Sequence, residues 1–91
     1  MKNENDKNIK MLLFSELKRI WNNRDFVYGT ISIAGCKENW IELLNYIHMS
    51  ESDGDLISSD DIQLLAIALR REYDKKQDIG LLKRNVAAAV L

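Results

Sequence analysis

The chain holds one thiol, Cys36, and one imidazole, His48, twelve residues apart. Nucleophilic catalysis needs a nucleophile beside a base, and this is the only cysteine–histidine pair available. Cys36 lies between Gly35 and Lys37. A helix start there would lower its pKa a little, but nothing local marks it as an activated thiolate. The expectation is a half-buried cysteine and a histidine near a helix end. A zinc site takes about four nitrogen or sulfur ligands, which one Cys and one His cannot supply unless a symmetric dimer doubles them. The stretch Glu51-Ser52-Asp53-Gly54-Asp55 has the oxygen-rich look of a calcium loop. Aligning Gly54 with the sixth position of an EF-hand puts Met49, which cannot ligate, first, and Asp60 in place of the usual twelfth glutamate. A solvated turn is the simpler reading.

Phosphate chemistry has no cradle in this sequence. Glycines stand at 29, 35, 54 and 80, matching neither a dinucleotide fingerprint nor a P-loop. Gly29, Ser32 and Gly35 lack nucleophile-elbow spacing. The paired carboxylates Asp60-Asp61 fall at an expected helix start, where capping accounts for them. No catalytic, metal or cofactor-binding residue is assigned, and the chain is expected not to be an enzyme.

Charge offers a different kind of chemistry. Thirteen basic and fourteen acidic residues give a net charge of −1, which leans away from a dedicated nucleic-acid binder. The charges are segregated, however. Residues 1–36 carry a net +2, residues 37–61 a net −6 and residues 62–91 a net +3. Capping and solubility explain much of this. A bipolar surface that docks a charged partner is the sharper alternative. Candidate partner-binding residues are Arg70, Arg71, Lys75, Lys76, Lys83 and Arg84.

The elements that would hold these groups are mainly helical. Ninety-one residues suffice for one domain, and 46% hydrophobic with 30% charged residues is an ordinary globular composition. Residues 1–8 read as a flexible polar tail and 9–91 as a single helical domain. Ile9, Leu13, Leu17 and Ile20 form an apolar stripe widened by Phe14 and Trp21. Residues 26–34 are rich in β-branched and aromatic side chains, with Val27, Gly29, Ile31 and Ile33 on one face of a possible short strand. A helix capped by Ser32 and running on through Gly35 is the other reading. Residues 37–48 are helical, with Trp40, Leu43, Leu44 and Ile47 facing the core. Residues 50–59 form a polar loop in which Leu56-Ile57 fold back. Ser58 then opens a helix to about Lys76 in which only Gln63 is polar between Ile62 and Leu69; so greasy a helix is expected to be central and buried. A last helix begins near Gly80. The fold class is thus a compact bundle of about four helices with a possible β element at 26–34.

Two features bear on assembly and location. The end of the chain reads Val86-Ala87-Ala88-Ala89-Val90-Leu91 with no charge after Arg84, so Val86, Ala89, Val90 and Leu91 are candidate self-association residues of a homodimer. The longest apolar runs are six residues, far below the roughly 20 of a membrane span, and no signal peptide is visible. A cytoplasmic protein without a membrane partner is expected. A chain rich in lysine, asparagine and isoleucine suits a small bacterial or phage protein.

The preferred function is a non-enzymatic protein-binding module, such as an adaptor, inhibitor or immunity-type protein. A DNA-binding regulator is the first alternative, through helices 37–48 and 59–76. Their connection of about ten residues exceeds the three or four of a helix-turn-helix, and Asp60 and Asp61 would repel phosphate. An oligomer binding a small ligand in an aromatic-lined cleft is the second.

Overall fold

The computed structural model describes the backbone of residues 2–90 and the side chains of residues 6–78. It is a mainly α bundle of four helices: α1 (Lys2–Ile20), α2 (Arg24–Ala34), α3 (Lys37–Ser52) and α4 (Ser59–Val90). No strand occurs among the described residues.

The possible strand at 26–34 is a helix, and the reason lies in its apolar period. Val27, Thr30, Ile31 and Ala34 are the buried residues of α2. They stand at i, i+3, i+4 and i+7, one face of a helix. The two-residue period through Val27, Gly29, Ile31 and Ile33 is present too, but it would leave Ala34 and Thr30 outside. The lower helix propensity of Val, Ile and Thr costs at most about 0.7 kcal/mol per residue. Burying a Val or Ile side chain returns about 1.5–3 kcal/mol, so packing wins. Local signals agree: the Asn23 side chain accepts a hydrogen bond from the Phe26 amide at 3.2 Å, Asp25 lies in the first turn, and the Thr30 hydroxyl donates to the Phe26 carbonyl at 2.8 Å.

The other reading of this stretch, a helix continuing through Gly35, is also corrected. Gly35 ends α2 in the left-handed conformation, with φ 76°, a position that disfavours every residue with a Cβ. Its amide donates to the Ile31 carbonyl at 3.0 Å, and Cys36 then adopts extended geometry as the N-cap of α3.

Side-chain pairings fix the helix directions. Asp6 meets Lys37 and Arg19 meets Glu51, so α1 and α3 run parallel. The rings of Phe14 and Tyr28 lie 5.1 Å apart and those of Trp21 and Phe26 5.3 Å apart, so α1 and α2 are antiparallel. α4 returns antiparallel to α3, bringing Arg70 against Gly35. Each helix packs chiefly on two others, in the ring order α1, α2, α4, α3. Arg19 bridges Glu16 at 2.6 Å and Glu51 at 2.7 Å and holds the Glu51 carboxyl below its usual pKa range. All three side chains are solvent-accessible, so this tie adds direction more than stability.

The core consists of Leu13 and Leu17 from α1, Val27, Ile31 and Ala34 from α2, Leu43, Leu44 and Ile47 from α3, and Ile62 and Ala66 from α4. α4 is therefore not the buried central helix its composition suggests. Among the described side chains of α4 only Ile62 and Ala66 are fully covered, Leu65 and Leu69 pack at the margin, and Leu64 is 63% exposed. α4 is also one helix through to Val90, where a separate helix from Gly80 was expected; with α2 helical, the count remains four. The loop after α3 shortens to residues 53–58. Within it Ile57 packs on the core while Leu56 does not fold back at all.

Burial assigns the stability. Leu43→Ala should cost about 2–5 kcal/mol, the range for fully buried leucines. Leu64→Ala, the same change at a residue that is mostly in water, should stay within about 0.5 kcal/mol. Urea unfolding of both variants checks this; equal losses would place Leu64 in a buried site.

Candidate functional site

Cys36 and His48 do not meet. Both belong to α3, the first as its N-cap, and twelve residues at about 1.5 Å each separate them by roughly 18 Å. Burial raises the Cys36 thiol pKa, and Glu38 nearby raises it further against the lowering effect of the Asn39 and Glu38 amides. This is the opposite of an activated nucleophile. The acidic stretch 51–55 is split between the last turn of α3 and the following loop, and all of it is exposed. Among the described residues no group of three His, Cys, Asp or Glu side chains converges as a metal site would require.

Four of the six basic residues expected from the sequence lie among the described side chains, in different surroundings. Arg70 is occupied: its Nε donates to both carboxylate oxygens of Asp74 at 3.1 and 3.2 Å, and its guanidinium packs over Gly35 at the C-terminus of α2, where a cation suits the helix dipole. Lys76 borders a groove of about 470 Å³ between α3 and α4 that also contains Glu38, Glu42 and Glu72, with Leu69 and Tyr73 on its floor. Its field is mixed rather than basic. Arg71 and Lys75 are exposed on α4. Lys83 and Arg84, like Val86, Ala89, Val90 and Leu91, lie outside the described side chains.

A second groove adjoins the first at the α2–α3 corner, lined by Asp6, Gly35, Cys36, Lys37, Glu38, Trp40 and Tyr73. The corner is a polar joint. The buried Asn39 side chain donates to the Ala34 carbonyl at 2.8 Å, and the Trp40 indole N–H donates to the Ile31 carbonyl at 3.0 Å. Sequence reasoning missed Asn39, because a polar residue one step from Trp40 looks solvated until a free helix carbonyl stands opposite it.

The third surface lies on the outside of α1 and α2. Lys10, Met11, Phe14, Tyr28 and Ile31 line an apolar groove of about 200 Å³. Met11 is 57% and Tyr28 46% exposed, although both are large and apolar. Cations ring it: the Lys18 ammonium stands 5.9 Å over the Phe14 ring and the Arg24 guanidinium 5.6 Å over the Tyr28 ring. Lys10 stands 5.6 Å over the Trp40 ring beside the groove. Among the described residues none of these three pairs with a carboxylate. The signal was present in the sequence as positions 7, 10, 11, 14 and 18, a helical stripe containing three lysines and no acid. It was hidden because Phe14 also belongs to the core-facing stripe and Tyr28 was placed in a strand.

No protein-family description matches this chain, and no curated protein or solved structure does so either. No helix among the described residues is long and apolar enough to cross a membrane.

The state of Cys36 gives a direct check. Its alkylation rate should rise with pH to a midpoint above that of an unstructured cysteine peptide treated alongside, because burial disfavours the thiolate. A midpoint below the peptide's would mark an activated thiol and reopen the catalytic reading.

Proposed function

We propose that this chain is a small non-enzymatic protein-binding module that self-associates in an aqueous, reducing compartment. The observation that carries the reading is the outward face of α1 and α2, where Met11, Phe14 and Tyr28 surround an apolar groove rimmed by Lys10, Lys18 and Arg24. Aromatic residues, Met and Arg are the types enriched where proteins meet, and methionine adapts its shape to a partner. The groove's volume of about 200 Å³ falls below the roughly 300–1,000 Å³ of small-molecule sites, so it suits a protruding side chain better than a metabolite. A DNA-binding role finds less support. The connection between α3 and α4 is six residues (53–58), still longer than a helix-turn-helix allows, and α4 begins with the exposed pair Asp60 and Asp61.

A photoreactive amino acid placed at Tyr28, and separately at the exposed Asn45 of α3, tests this in the native host. Protein adducts at position 28 and none at 45 are expected. Nucleic-acid adducts at 28, or equal labelling at both positions, would contradict the reading.

A further inference from the structure

The acidic region of the chain carries its own exposed apolar residue. Leu56 is 101% exposed, as open to water as an isolated residue. It stands in the loop between α3 and α4, with Asp53 and Asp55 before it and Asp60 and Asp61 in the first turn of α4. All four carboxylates are exposed, and among the described residues none is in an ion pair. A leucine held in water loses the stabilisation of about 1.5–3 kcal/mol that burial provides. Ile57 beside it turns into the core, so the loop is anchored and presents Leu56 outward rather than hiding it.

The groove on α1 and α2 is the complement of this loop in both respects. It is apolar where Leu56 is apolar, and its rim of Lys10, Lys18 and Arg24 is positive where the loop is negative. The loop does not fill the groove of its own chain, because Leu56 there is fully exposed. The α1–α2 turn and the α3–α4 loop share one end of the bundle, where Arg19 bridges Glu51, whereas the groove is lined by residues 10, 11, 14, 28 and 31, further along α1 and α2. We propose that the groove receives the 53–58 loop of a second copy of this chain, Leu56 entering between Met11, Phe14 and Tyr28 while Asp53, Asp55, Asp60 and Asp61 face the lysine and arginine rim. Groove and loop are different surfaces, so each contact pairs unlike patches of the two copies. One leucine and a few exposed charge pairs make a small interface, so the association is weak and salt-dependent. The proposal rests on the reading of the chain as a self-associating protein-binding module, and names the surfaces through which it does so.

The test is sedimentation equilibrium of the full chain at about a hundred micromolar and above, beside two variants. Leu56→Asp spoils the loop and keeps the groove. Lys18→Glu with Arg24→Glu spoils the rim and keeps the loop. The altered residues are all exposed, and matching thermal melts confirm that both variants fold. The chain should self-associate, and less so in high salt. Each variant alone should associate at least tenfold more weakly. Mixing the two should restore association, because the mixture contains one intact groove and one intact loop. Variants that associate like the unaltered chain, or a mixture that stays monomeric, would overturn the proposal. An unaltered chain that is monomeric throughout would also overturn it. Protein adducts at Tyr28 in the host would in that case leave the broader protein-binding reading standing, and their absence would remove both. A chain ending at Asn85 should associate as the full chain does; loss of association on that truncation would move the interface to the C-terminal segment.

Discussion

Gly35 holds the backbone at φ 76° between α2 and α3, and the placement of the other helices depends on this turn. A helix C-terminus leaves carbonyls without amide partners, and here three donors satisfy them. The Gly35 amide and the Trp40 indole both reach the Ile31 carbonyl, and the Asn39 amide reaches the Ala34 carbonyl. Two of these donors belong to the first turn of α3. The same hydrogen bonds that finish α2 therefore aim α3. Arg70 completes the joint from α4, its guanidinium lying where a Gly35 side chain would have to stand. The buried Asn39–Ala34 bond tolerates little: an unpaired carbonyl costs about 1–3 kcal/mol where water cannot replace the donor.

The ring order of the bundle follows. Because only Gly35 and Cys36 separate α2 from α3, the two helices diverge from a shared corner, and α1 and α4 fill the space on either side. α1 then lies parallel to α3 with Arg19 clasping Glu51 at the far end, and the outer faces of α1 and α2 form one continuous surface. The segregation of charge visible along the chain thus becomes a segregation in space. Cations gather around the α1–α2 groove and carboxylates around the α3–α4 loop. Apolar side chains stand exposed at the centre of each, Met11 and Tyr28 in one and Leu56 in the other. Unlike charges on two faces of one body are a means of orienting a partner more than of stabilising a fold.

Much of this architecture can be read from residue spacing. The stripe Leu13–Leu17 and the face Leu43, Leu44, Ile47 are buried as their periods require. The β-branched composition of 26–34 misleads because it reports local preference, whereas Val27, Thr30, Ile31 and Ala34 report the face that tertiary packing selects. The run Ile62–Leu69 misleads in another way. Apolar character on all sides says that burial would be favourable, not that enough neighbours exist to provide it, and among the described residues α4 leans on α2 and α3 alone. The candidate site was the least legible part. Arg70 looks like a free cation until its place over Gly35 is known, and the α1–α2 groove is assembled from residues 14 to 21 positions apart whose adjacency the antiparallel turn at 21–23 creates.

The α2–α3 joint can be tested by a pair of glycine substitutions. Gly29 lies within α2, with nothing within 4 Å of the Cβ it lacks, so Gly29→Ala should stabilise the chain by up to about 1 kcal/mol through helix propensity. Gly35→Ala forces a side chain into the left-handed region, at about 1–2 kcal/mol, and displaces Arg70 as well. Urea denaturation should therefore move in opposite directions for the two variants, with Gly35→Ala destabilised by more than about 1 kcal/mol. A Gly35→Ala chain as stable as the original would mean that α2 and α3 are not joined by this turn, and the ring of helices built on it would fail with it.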